Sequence, residues 1–384
     1  MWRNILVALV ATTSALALPL TISPASAQAI PKSLQEGGTE TSIKNRKNTW
    51  TVGIVGGLID GTYMRFADEL AKVLDDGDNL RILPIVSYGA ASNLEDLIYL
   101  RGVDVAVTQA DVFEYFRTER KTPNLDRRVH YITRLPLAEV QVLARKEIKS
   151  LEDLRGKKVN FGPAGSGSSL TGTLIFQRLG IKVEQALIDQ QSGLQKLRSG
   201  EVAALVRVVG KPVGFLRNIP ADAGLHIVPI PFTKQFADFY TLGELTSKDY
   251  PNLIPEGQRV DTVAVPTVLA VFNWPKGSDR YRRVERFTER LFANWEKLQQ
   301  QPRHPKWRDV NLAATVPGWT RFSVAEETLQ KYQAKEPSSA ELKRDFQVFL
   351  DRPGARAAAQ SPTDRDALFR EFIQWRDQQG SRKR

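Results

Sequence analysis

The stretch Ser150–Gly180, SLEDLRGKKVNFGPAGSGSSLTGTLIFQRLG, carries the order of elements that decides the fold. Leu151–Arg155 reads as a short charged helix or turn, 158–161 as an apolar strand, 162–168 as a glycine-rich loop and 169–179 as an amphipathic helix. A loop between strand and helix sets backbone N–H groups at the helix N-terminus. There the first turn lacks intrahelical partners and the helix dipole adds partial positive charge, which suits an anion. Glycine lets the main chain approach a ligand, and Ser166, Ser168 and Ser169 can donate hydrogen bonds. On spacing alone two readings stay open: one wall of a small-anion site, or a plain helix cap supplied by Ser168 or Ser169. Catalytic readings fit worse. A phosphate-binding P-loop needs a lysine after its glycines, and none follows here. A nucleophile elbow needs glycines flanking its serine, whereas Ala164 and Ser168 flank Ser166.

The same alternation runs upstream. A strand over 50–55, a turn at Gly56–Gly61 and a helix over 62–74 are followed by a strand at 80–86 and a helix at 92–100. A third strand at 103–108 leads into a helix from Asp111. Such β-α-β-α-β units with short connections argue for a parallel, doubly wound sheet, whose ligands sit at the carboxyl ends of the strands. A second unit begins with a strand at Glu139 and includes the opening stretch, a helix near 193–199 and a buried-looking strand at 202–209. The chain then returns through the long β-rich segment 260–273 and a helix over 279–299, whose Val284, Phe287, Leu291, Phe292 and Trp295 recur at core spacing. Two crossings between two lobes make a hinge with a cleft between them.

The ends and the composition bound the function. Met1-Trp2-Arg3, an apolar run to Leu20 and Ser23-PASAQA-Ala29 form an export signal, with cleavage after Ala27 or Ala29. No later segment approaches the roughly 18–20 apolar residues of a membrane span. The expected product is a soluble periplasmic protein. Cysteine is absent, and the three histidines, His130, His226 and His304, are scattered, which argues against zinc or a histidine triad. The net charge of +11 comes from 54 basic and 43 acidic residues that are interspersed, so it implies a general attraction for anions and no nucleic-acid partner.

These residues resemble the TAXI family, the solute receptors of TRAP transporters, over roughly Trp50–Leu298. The likeness rests on Gly56-Gly57-x-x-x-Gly61-Thr62-Tyr63, Gly89-x-x-Ser92-Asn93-Leu94 and Gln109-Ala110-Asp111. It continues through Leu151–Lys157, Gly162–Ser168, Gly210-Lys211-Pro212, Asp249-Tyr250-Pro251 and Asp261–Val265. The resemblance implies an α/β, two-lobed type II periplasmic-binding-protein fold. Each lobe would be a doubly wound, mostly parallel sheet, with a two-strand hinge between them. It implies capture of a small organic anion, delivery to integral membrane TRAP permease subunits, and neither catalysis nor a cofactor. The expected organisation is a signal peptide at 1–27 and a flexible lead-in at 28–48. Lobe 1 would then span 49–137 plus 272–300, lobe 2 138–271, and a mainly helical C-terminal extension 301–384. Departures from the family pattern are Met64, where an aromatic is usual, Arg207 within an apolar strand, and the longer tail.

A captured carboxylate needs donors, because an unpaired ion is costly to desolvate. The candidates are the main chain at Gly57 and Gly61, Thr62 and Tyr63, Gln109, the loop Ser166, Gly167, Ser168 and Ser169, and Arg207 and Lys211. The serines are expected as donors, not nucleophiles. Thr62 could instead only cap its helix, and Asn93 and Asp111 are expected as caps or bridges. Arg207 should not be buried unpaired, and is expected to meet either a ligand carboxylate or Asp189 or Glu201. Three other readings compete with TRAP delivery: a receptor for an ABC importer or a sensor system, an enzyme on the same scaffold, and a scaffold protein. The last would use Phe346, Phe349, Leu350, Leu368, Phe369, Phe372 and Trp375 as an apolar face.

Overall fold

The strand Thr51–Gly57 (β1) contains no charged residue and is flanked on both sides by parallel partners, which is why it is buried almost throughout. A computed structural model describes residues 38–335 together with Phe346 and Phe372. The export signal, the first ten residues of the lead-in and the rest of the proposed apolar tail face lie outside the described residues. At the end of the lead-in, Glu40–Asn48 forms a helix (α1).

After β1 come the helix Thr62–Leu74 (α2), Arg81–Val86 (β2), Ala90–Tyr99 (α3), Val105–Gln109 (β3) and Ala110–Thr118 (α4). β2 and β3 both run parallel to β1. α2 buries Phe66, Ala67, Leu70 and Leu74 on one stripe and turns the Asp68–Lys72 pair, 2.7 Å apart, to solvent. Val129–Arg145 (β4) then leaves this lobe. The second lobe holds Lys158–Asn160 (β5), Gly167–Arg178 (α5), Glu184–Ala186 (β6), Gln190–Ser199 (α6) and Ala204–Val209 (β7), then Leu225–Val228 (β8) and Thr241–Thr246 (β9). Arg259–Phe272 (β10) leads back. Asp279–Ala293 (α7) follows, with Ser278 accepting from the Tyr281 N–H as its cap, and Ser323–Lys335 (α8) packs beside it.

The strands form one mixed sheet in the order β2-β1-β3-β10-β4-β7-β5-β6, with β8 on β4 and β9 on β10. Within each lobe the strands β1–β3 and β5–β7 are parallel, while the two long crossing strands run antiparallel to their neighbours. This is the α/β, two-lobed, doubly wound architecture with a two-strand hinge. β10 pairs with β3 from Thr267 to Val271 and with β9 from Arg259 to Ala264. The ladder between β4 and β10 slips between Val265 and Thr267, opposite Leu135 and Ala138. Pro136 and Pro266 sit in that gap, where neither can donate to a ladder. The changeover between lobes on β10 therefore falls at Pro266, not after Val271 as expected from the sequence.

A second correction concerns the C-terminal segment. Residues 302–322 are mostly loop, and they pack into the first lobe before any long helix starts. Trp307 is fully buried against Phe66 and Trp295, with ring centroids 4.8 and 5.7 Å away. The buried Glu69 carboxylate accepts from the His304 N–H at 3.0 Å and from Trp307 Nε1 at 2.7 Å, so its lone pairs are satisfied. Tyr131 N donates to Thr320 O, and Phe322 N to Tyr131 O. Helical structure begins only with α8, and a one-turn 3-10 helix at Pro305–Asp309 precedes it.

Candidate ligand-binding cleft

The carboxyl ends of four strands meet between the lobes. Gly57–Leu58 and Gly61–Tyr63 follow β1, Tyr88–Ala90 follow β2, and Ser166–Ser168 follow β5, while Arg207–Val209 close β7. They enclose a cavity of about 40 Å³. A single water needs roughly 10–15 Å³ by the same measure, so this space is of water size. The reason is that the lobes touch. Ser92 N donates to Gly165 O at 3.0 Å, Gly210 N to Thr62 Oγ1 at 3.3 Å, and Thr171 Oγ1 to Gln109 Oε1 at 3.3 Å. Tyr240 OH donates to Asp111 Oδ2 at 3.0 Å, also from lobe to lobe. The structure is a closed form of the cleft.

Glycine makes that approach possible. A Cβ on Gly167 would stand 2.2 Å from Gln109 Oε1, and one on Gly89, whose φ is +123°, would stand 3.1 Å from Ser166 Cα. Both positions accept only glycine without the lobes moving apart.

The second-lobe wall is the start of α5. Ser166, neither Ser168 nor Ser169, is the N-cap: its extended backbone turns the side chain to accept from Ser169 N at 3.0 Å. Ser169 Oγ is tied back to Ser166 O at 2.9 Å and lies outside the cavity, in the lining of a separate pocket that Ser92 shares. Ser168 Oγ accepts from Val208 N at 2.9 Å, which leaves its hydroxyl proton free to donate. The amides of Gly167 and Ser168 have no acceptor among the described residues, as the first turn of a helix implies.

On the first-lobe wall, Gly57, Gly61, Thr62 and Tyr63 line the cavity together. Thr62 does not cap α2. Gly61 is the N-cap residue and makes no side-chain cap bond, while the Thr62 hydroxyl accepts from Gly210 across the cleft. Burial pushes the Tyr63 hydroxyl well above its usual range, so it stays a neutral donor or acceptor near Thr267 Oγ1. Asn93 is not a cap either; its amide donates to Val107 O at 2.6 Å inside the first lobe.

Arg207 lines the cavity and is 3% exposed. It alternates with Leu205 and Val209 along β7, all on one face of the strand. The expected partners fail: Asp189 caps α6 by accepting from Ser192 N, and Glu201 pairs with Lys196 at 2.5 Å. Instead Arg207 Nη2 lies 3.5 Å from Asp60, whose side chain is half exposed, and the guanidinium sits 5.6 Å from the Phe215 ring. Its Nε has no acceptor among the described residues. Burial lowers the pKa of the guanidinium and Asp60 only partly offsets this.

Two further candidates are placed elsewhere. Gln109 is fully buried behind Gly167, not on the cavity surface, with Nε2 unpartnered. Lys211 points away from the cavity to Asp249, 3.1 Å off, and to Glu244 O at 2.6 Å. Tyr88, Gly89 and Ala90 on the first wall lie at a strand end expected to face a ligand, but are not among the candidate residues. The signal for them was their position just after β2, the same rule that found Gly57. Sequence reasoning missed the Asp111–Tyr240 contact, whose partners are 129 positions apart; burial pushes both groups up. Among the described residues no cluster of three or more His, Asp or Glu could hold a metal ion.

The family model that matches over residues 55–317 is the NMT1-like family. The chain belongs to the NMT1-like family. The NMT1-like fold is of the periplasmic binding-protein type, and the cleft lies entirely within the matched segment. Solved structures with similar chain course include PhnD1 from Prochlorococcus marinus in complex with methylphosphonate. It is 14% identical, covers 75% of this chain and 98% of that one, and has a TM-score of 0.41. A periplasmic binding protein from Brucella ovis with glutathione bound is 13% identical, with coverages of 70% and 77% and a TM-score of 0.39. A Bordetella bronchiseptica protein is 15% identical, with coverages of 77% and 88% and a TM-score of 0.44.

Proposed function

We propose that this NMT1-like protein is a periplasmic solute receptor that closes its two lobes on a small organic anion and delivers it to a TRAP-type permease. The ligand class is a dicarboxylate, a 2-oxoacid or an acidic amino acid. The observation that carries the reading is Arg207: a buried cation on the cavity wall whose one ionic partner is long and half exposed. A carboxylate in the cleft would meet that charge, the Gly167 and Ser168 amides and the Ser168 hydroxyl together. No step of chemistry is needed, and the serines act as donors. TRAP delivery rests on the TAXI-like motifs, and export on the N-terminal signal segment. No helix among the described residues is long and apolar enough to cross a membrane.

A thermal-shift screen of C4-dicarboxylates, 2-oxoacids and acidic amino acids tests the ligand class. One of them should raise Tm progressively with concentration, as mass action requires of a ligand that binds only the folded state. In Arg207→Gln the same compound should bind at least about tenfold more weakly, because a charge-assisted hydrogen bond is worth roughly 1.5–3 kcal/mol. Unchanged affinity in that variant would remove the ion-pair role.

A further inference from the structure

On the hinge side of the molecule lies a second cavity of about 400 Å³, which shares no lining residue with the cleft. Its walls come from both lobes: Phe113 and Arg134 from the first, Phe239 and Tyr240 from the second, with Pro266 of the hinge strand between them. The 315–319 loop forms the remaining wall through Trp319. We propose that this cavity is a second ligand site, for a flat aromatic molecule carrying one carboxylate.

Two observations set the ligand class. The indole of Trp319 stacks on Phe113, with centroids 4.0 Å apart and planes at 29°, so this wall is a broad apolar plate. A ring laid on such a surface gains dispersion and burial together. Arg134 is half buried, and its guanidinium makes no ion pair or hydrogen bond among the described residues. The neighbouring Arg117 differs, because Glu114 accepts from its Nη2 at 2.6 Å and from its Nε at 3.0 Å. That pair is internally neutral. The remaining acid on the rim, Asp238, is exposed and reaches no cation. Arg134 is thus the unpaired cation left on the cavity wall for a carboxylate, beside walls that hold a ring. The volume lies within the usual 300–1,000 Å³ of small-molecule pockets, where the closed cleft falls far below it.

Phenylacetate is the probe, with acetate as the same charge without the ring. Calorimetric titration of the wild-type chain should show one site for phenylacetate and at least about tenfold weaker binding of acetate. Arg134→Gln should weaken phenylacetate at least about tenfold. Trp319→Leu, which removes the aromatic face, should weaken it severalfold with an unchanged circular dichroism spectrum. Arg207→Gln should leave it unaltered, although that variant loses the cleft ligand, so failure here and failure of the cleft reading are separate results. No heat from phenylacetate in the wild type would overturn the proposal. So would affinity that survives both Arg134→Gln and Trp319→Leu, or loss in Arg207→Gln alone, which would place the probe in the cleft. If Arg134→Gln does not fold, Trp319→Leu decides by the same criterion.

Discussion

Lys306 at the hinge and Arg207 at the cleft are both basic side chains taken almost completely out of water, and they are treated in opposite ways. Lys306 Nζ sits 2.6 Å from Glu139 and donates to Leu137 O at 2.9 Å, while Glu139 also accepts from Lys211 N. Burial pushes the Glu139 carboxyl up, and Lys306 pulls it back down. Arg207 has one ionic contact, at 3.5 Å, with a side chain that water already half solvates. Coulomb attraction between buried ions offsets their desolvation only when geometry is close and every remaining donor is met. Lys306 satisfies that condition within the protein, and Arg207 does not. The contrast separates a charge that holds the fold from a charge that waits for a partner.

The sharpest way to break the contrast is to remove the hinge cation. Lys306→Met strands Glu139 in the interior and should cost about 3–5 kcal/mol in urea denaturation with an unchanged m value. Adding Glu139→Gln to it should restore most of that loss, since a neutral pair needs no compensation. A cost below about 1 kcal/mol for the single change would erase the distinction between the two sites.

Acid should reach the same loop. His304 is buried, its Nδ1 accepts from Lys306 N at 3.2 Å, and burial, with Arg65 nearby, lowers its pKa to about 4. The folded value therefore lies below the unfolded value of about 6.5, so the folded state resists protonation. Its contribution to stability is complete above about pH 6.5 and is lost as pH falls toward 4, to a total of roughly 3 kcal/mol. His304→Asn, which can still accept from Lys306 N, should flatten that part of the stability–pH curve. If the wild-type and variant curves run parallel between pH 7 and 4.5, His304 is not the titrating group.

How much of this was legible follows from what each feature depends on. Buried parallel strands announce themselves as short continuous apolar runs, so β1, β3 and β7 and their loops could be located from composition alone. The glycines at strand ends located both cleft walls, because close backbone approach permits little else. The buried state of Arg207 was legible too, since an apolar strand surrounds it in sequence. Its partner was not: Asp60 lies 147 positions away, and nothing local distinguishes it from Asp189 or Glu201. The loop 302–322 was misjudged because its anchors are side chains such as Trp307 and Lys306, held by Glu69 and Glu139 more than 160 positions upstream. A loop without periodicity gives no sign of burial. Within the serine run, the cap depended on which residue turned extended, a backbone angle that identical side chains cannot reveal.

The smallest effect is also the most direct test of the contrast. A double-mutant cycle on Arg207→Gln and Asp60→Asn, read by urea denaturation without ligand, should give a coupling below about 1 kcal/mol. A pair at 3.5 Å with one half-exposed member is close to the surface case, where solvent screening leaves little net attraction. The matching cycle on Lys306→Met and Glu139→Gln should give several kcal/mol. With a dicarboxylate or 2-oxoacid bound, the Arg207 variant should lose the ligand's stabilisation while the Asp60 variant keeps it, because the carboxylate takes over as the guanidinium's partner. A strong Arg207–Asp60 coupling in the free protein would mean that the guanidinium is already satisfied, and the cleft would then have to recognise its ligand through the α5 amides and Ser168 alone.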